Sequence, residues 1–550
     1  MNGNGVNGDE KPNPVGKKPK AKIIRSLGYL ERFEAAMISL DFYRSSMVTC
    51  RFTIPARFLP GPELESQDEL HRRLESAVAA VVMEHPFLRV GLRGEHARKP
   101  AFVELEAVDF ARHIEWRSFG SIAEYEAQLR GLIRSRLDVK VPQPEDAPSW
   151  RILMLCAEDF VDVMFEWGHV HTDGISAKIF HEDLLRYLNS TGDGSGADVE
   201  AGVVPSEFNP ETRILTIPIS RRRDLPPPLH SLCKFTLSSR WAASTLWREL
   251  KPASFQDDSS TGLLATWAPL KITPYETQYR HFSIDHATLQ TILTACREHK
   301  TTLTGLIHAL AHVSLATRLD AKDARAFTGS TILNLRPIVA AAEPRLQAKE
   351  VRSKALDLSR TMGNFVTITD HEFDSAWVAQ VREAVRAKKE GDKQEGEDGL
   401  TVPESLVWPI AESVRAGLQK RLDEGTKNDM IGLLKFIPDF RTLLKDWTKK
   451  PRGHGVVITN LGVIDGSPAD KVSDDTADTV EASSKWRIDR AIFSISPEAH
   501  GAAITICPVA VKGKELYISV DWQDCALDSA LVEGMTTDLE AWLRVLGRQR

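Results

Sequence analysis

Six consecutive residues, His169-Val170-His171-Thr172-Asp173-Gly174, set a carboxylate four positions after an imidazole and a glycine directly behind it. An imidazole titrates near neutrality and suits general-base work on a hydroxyl or an amine. The spacing alone says little. With 16 His in the chain and Asp at roughly one position in twenty, about one chance match is expected. The chain supplies its own control in His281 and Asp285 (HFSID), where the intervening residues alternate as a strand and no glycine follows. Ahead of His169, by contrast, Val161, Val163, Phe165 and Trp167 alternate along a strand. Beyond Gly174, Ile175, Ile179, Leu184 and Leu188 form the stripe of an amphipathic helix. A His at that break is expected to project into a cleft, and His171 to point away from it. Asp173 also has a plainer reading as the N-cap of the helix. Gly174 permits close backbone approach or a positive φ.

Other chemistry-bearing patterns are weaker. His308 and His312 lie four apart on a helix (HALAH), without the glutamate of a zinc protease or an evident third ligand; core or interface histidines are the expectation. Gly3, Gly5 and Gly8 spell GxGxxG with no strand before them, so the pattern cannot cradle a pyrophosphate. No GxSxG nucleophile elbow occurs. The six cysteines are scattered with no CxxC, which indicates neither a disulfide framework nor a zinc knuckle and fits a reducing compartment. Lys+Arg is 70 and Asp+Glu 76, a net charge of −6. That balance argues against a nucleic-acid partner. No run of 18 apolar residues suggests a membrane span.

Around the candidate site the pattern alternates strands and helices. Strands are expected at 48–54, 85–92, 151–157 and 160–167, with a helix at 121–137. The second half repeats the mixture: strands at 277–284, 327–335, 364–369, 455–461, 487–495, 502–511 and 515–522, with helices at 286–298, 303–319, 374–388, 404–421 and 528–547. Residues 189–209 and 388–402 read as loops. The first, with Pro226–Pro228, separates two halves. Each half reads as a mixed sheet with helices packed on it, an α/β (α+β) class.

HxxxDG after a strand resembles the His-containing acyl-CoA-dependent acyltransferases, relatives of peptide condensation domains. More closely, the chain resembles the fungal alcohol O-acetyltransferases from about Arg25 onward. SLGYLERFE (26–34), HPFLRV (85–90), TLTGLIHALAHVSLA (302–316), ILNLRP (332–337), MGNFV (362–366), ITNLG (458–462) and WRIDRAIFSIS (486–496) carry that resemblance. Condensation domains usually carry two adjacent His; here Gly168 precedes His169. The DFGWG loop of the plant relatives is absent.

The resemblance implies two pseudo-symmetric chloramphenicol-acetyltransferase-like lobes with an interlobe channel. The expected division is a tail at 1–22, a lobe at 23–200 carrying the motif, a linker at 201–275 and a second lobe at 276–550. It implies His169 as general base, Asp173 as a structural partner of Arg336, and Asn460 and Gly462 as residues near the channel or simply a turn. No bound cofactor is implied, with acetyl-CoA or another acyl-CoA as co-substrate and a small-molecule alcohol as acceptor. An amine acceptor and a non-catalytic scaffold are the alternatives. The expectation is a cytoplasmic monomer. A second reading adds peripheral lipid contact, at an endomembrane or lipid droplet, through Leu531, Met535, Leu539, Trp542, Leu543 and Leu546 of the last helix.

Overall fold

A computed structural model describes residues 21–59, 64–190, 205–250, 262–343, 350–351, 354–391, 403–468 and 485–548. Two sheets organise the chain. The first runs in the order Arg487–Ile495, Ser46–Thr53, Phe160–Trp167, Trp150–Ala157, Ile114–Phe119. Its pairs are antiparallel except the last, which is parallel. The second runs Thr277–Ile284, Leu516–Gln523, Ile504–Val511, Val456–Ile458, Phe327–Asn334, Val366–Phe373, with Gly462–Ile464 also pairing Ile504–Val511. The fold is a mixed α/β fold of two lobes.

Each sheet carries helices because each has an apolar face to bury. On the first, helices Leu64–Glu84 and Gly174–Asn189 pack together and share a core that includes Leu74, Val78, Phe165, Phe180 and Leu184. On the second, Leu303–Arg318 is buried along Gly305–Ala316. It packs against Glu404–Asp423 and Ser529–Arg548. The lobes interlock, since Arg487–Ile495, late in the chain, is a strand of the first sheet, in antiparallel register with Ser46–Thr53. Cys507 and Val509 of the second sheet join the first lobe's core.

Several expectations need correction. Residues 85–92 are not one strand: Pro86–Arg89 is a 3-10 turn with Pro86 in its first positions, and the strand is Val90–Arg93. Proline fixes φ and removes a donor, which favours a helical start over a ladder. The strand expected at 455–461 is shorter, Val456–Ile458, and a further short strand, Gly462–Ile464, follows it beyond those bounds, entered through Gly462 at φ 78°. Helix Ser375–Gly391 enters the expected 388–402 loop; residues 392–402 lie outside the described residues. So do 191–204 of the first loop and residues 1–20, including the glycine triplet. The stretch 201–275 holds Ile214–Thr216, paired with Ala107–Asp109, and helices Leu229–Leu232 and Ser239–Leu250. The apolar face of Ser529–Arg548 is buried in the second core through Met535, Leu539, Trp542, Leu543 and Leu546, so it is not a free surface. Among the described residues no helix is long and apolar enough to cross a membrane.

Candidate active site

The strand Phe160–Trp167 is paired on both sides, so its end is a fixed point. The chain turns there: the Gly168 amide donates to Ser149 O at 3.1 Å and the His171 amide to Gly168 O at 3.1 Å. A Cβ at position 168 would stand 2.5 Å from Ser149 Oγ, so a second histidine in front of His169 would require that serine to move. His171 is buried against Phe102, ring centroids 5.1 Å apart. Burial pulls its pKa down to about 3. His169 is half-buried, and Tyr43 meets its ring edge-on at 5.7 Å.

Asp173 caps helix Gly174–Asn189 and does more besides. Its Oδ1 accepts from Ser176 N and Ser176 Oγ, both at 2.8 Å, and from Arg336 Nη2 at 3.0 Å. Its Oδ2 accepts from Arg336 Nη1 at 2.8 Å and from the Phe365 amide at 2.9 Å. Burial alone would raise this carboxyl. The Arg336 charge and hydrogen bonds, with the Phe365 and Ser176 amides, reverse that and hold it below the ordinary range. Arg336 begins helix Arg336–Ala342, is 2% exposed and also donates to Thr361 O and Gly363 O. Its guanidinium lies 4.6 Å from the Phe365 ring centroid. The HxxxD loop of one lobe is thereby clamped to residues 361–365 of the other.

That same segment reaches His169. Gly363, at φ 149°, has room for no side chain: a Cβ would meet Phe365 at 2.7 Å. The next residue, Asn364, donates from Nδ2 to the His169 carbonyl at 2.8 Å, and Nδ2 lies 3.1 Å from His169 Nδ1. The ring also hydrogen-bonds its own carbonyl. Nε2 has no hydrogen-bond partner among the described residues. Burial lowers the imidazole's pKa, with Asp173 and the carbonyl opposing it.

The remaining expected residues sit as follows. Gly174 is a close-approach glycine: its Cβ would lie 3.3 Å from both Leu461 Cδ1 and Phe493 Cζ. Asn460 accepts from the Gly462 amide at 2.8 Å and donates to Thr304 Oγ1 at 3.1 Å, a turn at the end of a strand, and it is exposed. Leu461, between them, lies against the motif at Gly174. His308 Nε2 and His371 Nε2 both lie 2.9 Å from Thr331 Oγ1, deep in the second lobe. His281 lies beside Tyr279 and Tyr517 on its strand, and Asp285 caps helix His286–Glu298. Sequence reasoning missed Asn364 and Tyr43. Asn364 lies inside a stretch that carries the resemblance (MGNFV), but nothing local marked it as a neighbour of His169.

Residues 123–330 match the alcohol acetyltransferase family model, a span that includes the whole HxxxDG loop. The chain is an acyltransferase. It is 25% identical to the probable alcohol acetyltransferase FCK4 of Fusarium pseudograminearum, over 96% of each chain. Its fold is similar to that of the TRI3 trichothecene 15-O-acetyltransferase of Fusarium sporotrichioides: TM-score 0.62 at 13% identity, covering 95% of this chain and 94% of that one. It is also similar to the starter condensation domain of rhizomide synthetase in complex with C8-CoA and Leu-SNAC: TM-score 0.52 at 11% identity, covering 95% and 94%.

Proposed function

We propose that the protein transfers an acyl group, acetyl in the first instance, from acyl-CoA to a hydroxyl of a small-molecule acceptor, with His169 as general base. The observation that carries this is the contrast within five residues. Asp173 has five donors on its two oxygens and is spent on structure, whereas His169 keeps Nε2 unengaged. In the tautomer with the proton on Nδ1, the Nε2 lone pair is left for the acceptor. Nε2 takes the hydroxyl proton as the oxygen attacks the thioester carbonyl, and a C–O bond forms. The tetrahedral oxyanion collapses, the C–S bond breaks, and the CoA thiolate recovers the proton from the imidazolium. The depressed pKa of His169 keeps the imidazole neutral, its basic form, at pH 7. The TRI3 neighbour's 15-O-acetyl transfer and the C8-CoA in the rhizomide neighbour support an oxygen acceptor and a CoA donor.

The test is incubation of the protein with acetyl-CoA and a panel of alcohols and amines, following free CoA thiol and product mass. Acceptor-dependent thiol release with an O-acetyl product supports the reading. N-acetyl products alone would move the acceptor to amines, and thiol release without any acylated product would overturn it.

A further inference from the structure

Asn364 stands between two anchored residues. Before it, the Gly363 amide donates to Ser176 Oγ at 3.1 Å, and the Gly363 carbonyl accepts from Arg336 Nη2 at 3.1 Å. After it, the Phe365 amide donates to Asp173 Oδ2 at 2.9 Å, and the Phe365 carbonyl accepts from the Leu335 amide at 2.7 Å. Asp173 and Arg336 are themselves a buried pair at 2.8 Å. The backbone on both sides of Asn364 is thus tied to the interlobe clamp, and its side chain, 6% exposed, ends on His169.

Chemistry decides which way the amide points. Nδ2 donates and does not accept. It lies 2.8 Å from the His169 carbonyl oxygen and 3.1 Å from His169 Nδ1. Turned end for end, the amide would set its own oxygen against that carbonyl, acceptor facing acceptor. Oδ1 is buried without a hydrogen-bond partner among the described residues, so the orientation is set at the nitrogen end. The 2.8 Å bond is to the backbone and holds whichever ring nitrogen carries the proton. Tyr43 meets the same ring edge-on at 5.7 Å.

We propose that Asn364 is a positioning residue for His169: its amide holds the His169 carbonyl and closes off the Nδ1 end of the ring, so that Nε2 keeps one direction. Asn364 acts through His169 and takes no part in the proton transfer. It is the point at which the interlobe clamp reaches the base. A base that must meet a hydroxyl proton at hydrogen-bond distance loses rate steeply when it is misplaced by about an ångström. Binding of the acyl donor does not use Nε2, so the effect belongs in kcat.

This rests on His169 as the base, which His169→Ala tests separately. The variant is Asn364→Leu, which keeps the volume and removes the donor. Its kcat is expected to fall about tenfold to a hundredfold, with KM for acetyl-CoA within about threefold of wild type. A second arm needs no turnover: NMR of protein carrying ¹³Cε1-labelled histidine, with the His169 signal assigned by its loss in His169→Ala. One sharp His169 signal is expected in wild type, and a split or exchange-broadened one in Asn364→Leu as the ring samples more than one rotamer. If Asn364→Leu fails to fold, Asn364→Ala, equally without a donor, replaces it. Wild-type kcat in the variant while His169→Ala is inactive overturns the proposal. So does a loss carried by KM for acetyl-CoA with kcat unchanged, or a His169 signal that stays single and sharp. An active His169→Ala would remove the base assignment instead, and the NMR arm would still decide whether Asn364 orders the ring.

Discussion

At the scale of single residues, the site divides labour between two neighbours that a sequence pattern treats as a pair. Asp173 is buried with Arg336, and removing either member strands the other charge at about 3–5 kcal/mol. Asp173→Asn and Arg336→Met should therefore each lower stability and activity, and the double variant should be less damaged than the sum; additive losses in denaturant titrations would deny the coupling. The pH dependence follows from the depressed carboxyl. Its contribution is present above the unfolded-state value of about 3.9 and is lost as pH falls through the lower native value. The stability gap between wild type and Asp173→Asn should accordingly narrow in acid. His169 has the opposite chemistry. Its depressed pKa puts the acid limb of kcat/KM below about pH 6.5, with activity lost as the ring protonates, and a limb well above that value would contradict the burial argument. Much of this was legible in the chain. The strand before His169 and the helix after Gly174 separated the motif from its decoy at His281, and the NLRP resemblance pointed to Arg336. Asn364 was not legible, because an asparagine acquires this role only through a contact across 195 residues of sequence.

At the scale of elements, apolar alternation gave most strands and helices to within a few residues, as with Thr277–Ile284 and Arg487–Ile495. It failed where one residue's backbone preference outweighed the pattern. Pro86 turned an apolar run into a 3-10 turn, and past the shortened strand Val456–Ile458 the chain turns at Gly462 into a second short strand. Gly462 allows that explanation to be checked, because its Cβ position is open space and only the backbone objects. Gly462→Ala should cost about 1–2 kcal/mol in urea unfolding, and Gly462→Asn less, both with kcat near wild type. Equal stability of wild type and Gly462→Ala would mean the turn relaxes freely. Gly174 should behave differently, since a Cβ there presses on Leu461 and Phe493 while φ stays ordinary.

At the scale of the whole molecule, the active loop belongs to one lobe and its clamp to the other, and a strand from the far end of the chain completes the first sheet. Strand order of this kind is set by non-local pairing, which alternation along one segment does not encode. Direct transfer, without an acyl-enzyme, is the expectation for the proposed reaction. The thiols of Cys156, Cys233 and Cys296 are pushed up by burial to about 12, 11 and 12, and Cys50 and Cys507 also rise. Thiolate nucleophiles at those positions are scarce at neutral pH. Kinetics with both substrates varied should give intersecting double-reciprocal lines, and intact mass after acetyl-CoA alone should be unchanged; parallel lines with a competent acetylated protein would require a covalent route. The central claim, that His169 is the base, is tested most directly by comparing kcat/KM for His169→Ala and His281→Ala with the best acceptor of the panel. We expect a loss of about 10²–10⁴-fold for His169→Ala, with its unfolding curve preserved, and most activity retained in His281→Ala. Equal losses in the two variants, or a larger loss in His281→Ala, would contradict the account.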